Sequence, residues 1–157
     1  MQSASLSTIK NELQRIPQEA LIELCIRMAR YKKDNKELLN YLLFENTSEQ
    51  DYIDSIKKEI EEQFAEINVS NMFFAKKTIR RILRIANKYI KYSGLPETEI
   101  AVLIHFLKQV RYLKIDYTKS AAMVNLYNSQ LKKINKSMQS LHEDLQYDYQ
   151  KDIDLIS

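Results

Sequence analysis

The chain has 157 residues, 45% of them apolar and 29% charged, with a formal net charge of +3. That balance argues against global disorder, and a chain this long buries enough surface to fold without disulfides or metal. One glycine, Gly94, and two prolines, Pro17 and Pro96, exclude most glycine-built catalytic loops and point to helices joined by short polar turns.

The single cysteine, Cys25, rules out an intrachain disulfide and fits a reducing compartment. Residues 1–13 lack the basic start and apolar core of a secretory signal. The longest apolar run, residues 101–107, is interrupted by His105 and is far short of the ~20 residues a membrane span needs. The expectation is a cytoplasmic protein without a membrane anchor. Abundant Ile, Lys, Asn and Tyr without Trp suggest an AT-rich bacterial genome.

In chain order, residues 5–16 read as a short helix with Leu6, Ile9, Leu13 and Ile16 on one side. Pro17 then suits the first turn of a second helix over 17–32. Leu21, Leu24, Cys25, Met28 and Tyr31 form one face of it; Ile22, Ile26 and Ala29 form a second, which predicts covering on two sides. Asp34 to Glu37 is a capping-box pattern that opens a third helix to residue 45. Ser48, followed by Glu49 and Asp51, opens a fourth, with Tyr52, Ile53, Ile56, Ile60, Phe64 and Ile67 as its core face.

A fifth helix over 72–92 buries Ala75, Ile79, Ile82, Leu83, Ala86 and Ile90, and Gly94 is placed to cap it in left-handed conformation. Pro96 opens a sixth, to residue 113, with Ile100, Leu103, Ile104, Leu107 and Val110 inward. Asp116 or Thr118 opens a seventh, reaching Tyr149. Val124, Tyr127, Leu131, Ile134, Met138, Leu141 and Leu145 give this last segment a heptad seam. As one helix it spans about 45 Å, enough to cross the domain and project past it, and its uncharged seam flanks favour packing on the domain's own helices.

The reading is all-α: one domain over 1–157, with a short N-terminal helix in 1–16 and a frayed acidic tail at 150–157. About seven helices pair in order as stacked antiparallel hairpins, a short α-α superhelix; a closed helical bundle is the alternative.

No catalytic motif is visible. His105 reads as a core or boundary histidine and His142 as solvent-facing; neither has the helical spacing of a metal ligand set. Cys25 reads as a small buried hydrophobe. No catalytic, cofactor or metal residues are assigned.

The charge pattern says more. Residues 67–96 hold no acidic side chain but carry Lys76, Lys77, Arg80, Arg81, Arg84, Lys88 and Lys91. These fall on one sector of the fifth helix, opposite its apolar stripe, with Phe73, Phe74 and Tyr92 beside them. Residues 45–66 hold eight acids, and an antiparallel packing of the fourth and fifth helices is expected to neutralise part of the basic face. A second cluster, Lys132, Lys133 and Lys136, precedes an acidic end. Exposed Tyr147 and Tyr149 stand beside those acids.

Three functions follow as expectations. The first is a non-enzymatic scaffold for a protein partner, with a homodimer through the C-terminal helix as a further candidate. The second is nucleic-acid binding through Phe73, Lys76, Lys77, Arg80, Arg81, Arg84, Lys88, Lys91 and Tyr92. The third is an enzyme or small-ligand carrier with a pocket near His105 and Tyr112.

Overall fold

The computed structural model describes residues 2–157; Met1 lies outside them. Among the described residues are eight α-helices and no strand, so the chain is all-α. The chain divides into two compact units, Met1–Phe44 and Glu45–Ser157.

The first unit holds α1 (Leu6–Leu13), α2 (Gln18–Tyr31) and α3 (Lys33–Asn40). Ser5 caps α1 by accepting the Thr8 N–H at 3.2 Å. Pro17 stands at the N-cap of α2, one place before the first-turn position its ring suits. The expected capping box does not form at Asp34. Helix α3 opens at Lys33, and the Asn35 side chain donates to the Met28 carbonyl at 2.9 Å instead. A π-helical turn, Tyr41–Glu45, continues α3.

Helices α2 and α3 pack on one another. Tyr41 is the one buried side chain of this unit among the described residues. A two-helix hairpin encloses neither apolar face of α2. Ile22 and Ile26 of the second strip are exposed, and so, against expectation, are Leu24, Cys25, Met28 and Tyr31 of the first.

The second unit holds α4 (Glu49–Ala65), α5 (Met72–Ser93), α6 (Pro96–Tyr112), α7 (Ala121–Met138) and α8 (Glu143–Ile156), with a 3-10 turn at Tyr117–Lys119. Its helix ends follow local chemistry. Ser48 Oγ accepts the Asp51 N–H at 3.3 Å. Asn71 Oδ1 accepts from the Phe73 and Phe74 N–H groups. Gly94 ends α5 at φ +69°, a left-handed conformation that only glycine reaches without strain. Pro96 opens α6, where its missing N–H has no helical partner to lose.

Helix α6 is the centre of the unit. Ile100, Ala101, Val102, Leu103 and Ile104 are buried in succession, followed by Phe106, Leu107 and Val110. Five consecutive residues cover the whole circumference of a helix, so α6 is enclosed on all sides. It packs on α4, α5, α7 and α8.

The contacts give the directions. Thr98, near the start of α6, donates to Glu49, at the start of α4, and Phe106 meets Phe64 edge-on with centroids 5.5 Å apart; α4 and α6 run parallel. The Tyr52 hydroxyl donates to the Tyr89 carbonyl at 3.1 Å, so α5 returns antiparallel to α4. Lys76 donates to Ser120 at 3.2 Å and Lys133 to Asn87 at 3.3 Å, which lays α7 beside α5 in the same direction. Tyr127 donates to the Ile156 carbonyl at 2.7 Å and joins α7 to α8.

Sequential pairs do meet, but α6 is shared by four neighbours. The unit is therefore arranged around one central helix. Truncating Phe106 to Ala would cost about 3–5 kcal/mol, a large share of the ~5–15 kcal/mol that holds a domain.

The long C-terminal helix is corrected most. It breaks after Met138. The Ser140 hydroxyl donates to the Ser137 carbonyl at 2.6 Å, competing with the backbone ladder. His142 then caps a new helix, its Nδ1 accepting the Asp144 N–H at 3.3 Å, with Glu143 and Asp144 in the first turn. The chain turns back, and α8 lies along α6 through Lys108 to Asp152 at 2.6 Å and Arg111 to the Leu155 carbonyl at 2.7 Å.

Residues 150–157 are therefore not a frayed tail: all but Ser157 are helical, with Ile153 and Ile156 buried. The single helix of about 45 Å expected to reach Tyr149 is two shorter helices. Among the described residues no helix is long and apolar enough to cross a membrane.

Candidate functional site

The basic residues of α5 line a groove of about 580 Å³. Its walls are Phe73, Lys76, Lys77, Thr78, Arg80, Arg81 and Arg84 of α5, with Ala122 from the first turn of α7. The apolar stripe of α5 explains why. Ala75, Ile79, Ile82, Leu83, Ala86 and Ile90 are buried against the bundle, and the helical period turns the residues between them outward. Lys77, Arg80, Arg81 and Arg84 are exposed and Lys76 is half-buried.

The expected neutralisation by α4 does not occur here. Among the described residues, none of these five cations has a carboxylate within ion-pair distance. Lys76 has a neutral partner, the Ser120 hydroxyl. The acids of α4 meet α5 elsewhere: Glu59 accepts from the Tyr89 hydroxyl at 3.4 Å and Glu49 from Ser93. Both contacts lie toward the far end of α5. The antiparallel packing is as expected, but it sets Glu59 and Glu49 of α4 against hydroxyl groups of α5.

The remaining sequence candidates lie outside the groove lining. Lys88 sits 5.0 Å from the Tyr89 ring centroid and 6.0 Å from that of Tyr92. Tyr92 is half-buried, edge-on to Tyr89 at 6.1 Å. Lys91 is exposed further along α5. Thr78 and Ala122 had no mark in the sequence. Lys133 did, as part of a basic run, but only the fold sets it beside Asn87 of α5 and extends the cationic surface onto α7.

Aromatic rings stand at one end of the groove. Phe73 is 70% exposed and Phe74 56% exposed. Their rings meet edge-to-face, with centroids 5.6 Å apart. Both residues donate their backbone N–H to the Asn71 cap, so the start of α5 holds them in place.

The other candidate pocket is small. Lys57, Ala101, Ile104, His105, Lys108, Tyr149 and Asp152 line a cavity of about 60 Å³, room for about two waters. Tyr112 is not part of it and is exposed. His105 Nε2 lies 3.2 Å from Glu61 Oε1, at ion-pair distance but off hydrogen-bond geometry. Burial holds the imidazole below its ordinary 6.5, against the opposite pull of Glu61. Tyr149 is half-buried, in contrast to the exposed position expected. Burial, and then the nearby Glu97, push its phenol up to about 12. Tyr147 is exposed as expected.

A cleft of about 160 Å³ between α2 and α3 is lined by Cys25, Met28, Ala29, Asn35, Leu38, Leu39 and Leu42. Among the described residues, no group of three His, Cys, Asp or Glu side chains is arranged to hold a metal ion. Compared with protein-family models, curated proteins and solved structures, the chain matches none.

Proposed function

We propose that this protein is a binding module for nucleic acid, engaged through the cationic groove of α5. One observation carries the reading: five cations line a single concave surface with no carboxylate at ion-pair distance among the described residues. Like charges on adjacent helical turns cost stability, about 0.2–0.5 kcal/mol per pair. A cavity walled by one sign of charge focuses potential and attracts counter-charged ligands. A phosphate backbone supplies repeated anions that five cations engage together.

The test is binding of a labelled random-sequence strand and duplex by the full chain. Neutralising about five phosphates gives a steep salt slope, so affinity should fall about a hundredfold between 50 and 200 mM salt. Reversing Arg80, Arg81 and Arg84 to Glu should abolish binding. No binding at low salt, or reversal without effect, rejects the reading.

A protein partner is the second reading, favoured by the apolar residues that the first unit leaves open, Ile22, Ile26 and Met28 among them. A photocrosslinking residue at Ile26 should then give one discrete adduct in the producing cell, lost in Ile22→Ser/Met28→Ser. No adduct, or one that survives the double change, would count against it.

A further inference from the structure

We propose that the α5 groove takes a single strand of nucleic acid, with phosphates along Lys76, Arg80 and Arg84 and a base stacked on Phe73. This rests on the nucleic-acid reading above and narrows it.

Three observations favour a strand over a duplex. The first is spacing. Lys76, Arg80 and Arg84 all line the groove and recur every four residues, a step of about 6 Å along the helix. A nucleotide repeat has six backbone bonds, twice the three of a peptide residue, so an extended strand advances about 7 Å per phosphate. A cationic row that winds only about 40° per step and an extended strand therefore stay in step over three phosphates.

The second is shape. A helix that reads a duplex enters a major groove about 12 Å wide, which the helix itself nearly fills. Helix α5 does not stand clear of its neighbours. It packs on α4 and α6, and Lys76 to Ser120 and Lys133 to Asn87 hold α7 along its flank. Its cations line a concavity walled by Ala122, which suits a thin chain better than a rod.

The third is the aromatic pair. Phe73 lines the groove and is 70% exposed, next to a Phe74 also largely exposed. Their edge-to-face contact covers one of four ring faces and leaves flat apolar surface open. Phosphate binding has no use for a phenyl ring. An unpaired base does, since every base offers a face for stacking.

The probes are a fluorescent dT 15-mer, an abasic 15-mer with the same number of phosphates, and a 15-base-pair duplex, titrated with the full chain at about 50 mM salt. The dT strand should bind about tenfold more tightly than the abasic strand, the effect of one stacked base. Phe73→Ala should remove that preference, weakening dT and leaving the abasic strand unchanged; a matching thermal melt confirms that the variant is folded.

Equal affinity for dT and abasic strands in the unaltered protein overturns the stacking site while the electrostatic reading stands. A dT preference that survives Phe73→Ala/Phe74→Ala overturns the placement. A duplex bound more tightly than either strand overturns the single-strand assignment. No binding to any probe removes the nucleic-acid reading itself.

Discussion

His105 shows how one side chain registers its surroundings. It faces Glu61 and Lys57 of α4 and Lys108 of its own helix, in a cavity also lined by Tyr149 and Asp152 of α8. Burial dominates, so the fold favours the neutral imidazole. With the folded value below the unfolded one, the stability His105 contributes is fully present above about 6.5. It is lost as pH falls through the lowered value. Urea denaturation at pH 7 and pH 5 should show the stability difference between the native chain and His105→Gln shifting in favour of the variant at pH 5. Gln130 makes a second prediction. It is buried, its amide nitrogen donates to the Leu126 carbonyl at 3.3 Å, and its Oε1 has no partner. Gln130→Met keeps the volume and removes an orphaned acceptor, so chemical denaturation should show a gain of about 1 kcal/mol.

Among the elements, α5 carries the functional argument. Arg80 and Arg84 are one turn apart and share no acid among the described residues. Arg80→Gln/Arg84→Gln should therefore raise the melting temperature slightly at low salt, by relief of like-charge repulsion, while weakening strand binding. Loss of stability in that variant would show that the arginines are structural. The bounds of α5 and α6 were legible because each has a strong local signal: Asn71 and Gly94 for one, Pro96 for the other. The break between α7 and α8 was also marked locally, by Ser137, Ser140 and the acids Glu143 and Asp144, the signature of a new helix start. The heptad spacing of Leu141 and Leu145 outweighed those marks in the sequence. In the structure both leucines are only half-buried.

In the molecule as a whole, burial is divided unequally between the two units. Almost all of the core lies between Tyr52 and Ile156. Residues 45–157 produced alone should keep a cooperative thermal transition and strong helical circular dichroism, because α6 and the four helices around it lie within that range. A broad, non-cooperative melt would mean that residues 2–44 are needed to complete the fold. The same fragment contains the groove, so it should also keep its affinity for a single strand.

The all-α class, most helix starts, the apolar stripe of α5 and the basic sector opposite it were set by the sequence alone. These depend on interactions within a turn or two: caps, proline and glycine geometry, and the 3.6-residue period. Tertiary structure decided what stands next to what. It enclosed α6 on every side, which apolar residues around its whole circumference permit but do not order. It folded α8 back onto α6, set the acids of α4 against Tyr89 and Ser93, and brought Ala122 and Lys133 of α7 beside the cations of α5. Those juxtapositions join residues some 30 to 50 positions apart, where no local rule reaches, and they make a charged helix face into a groove.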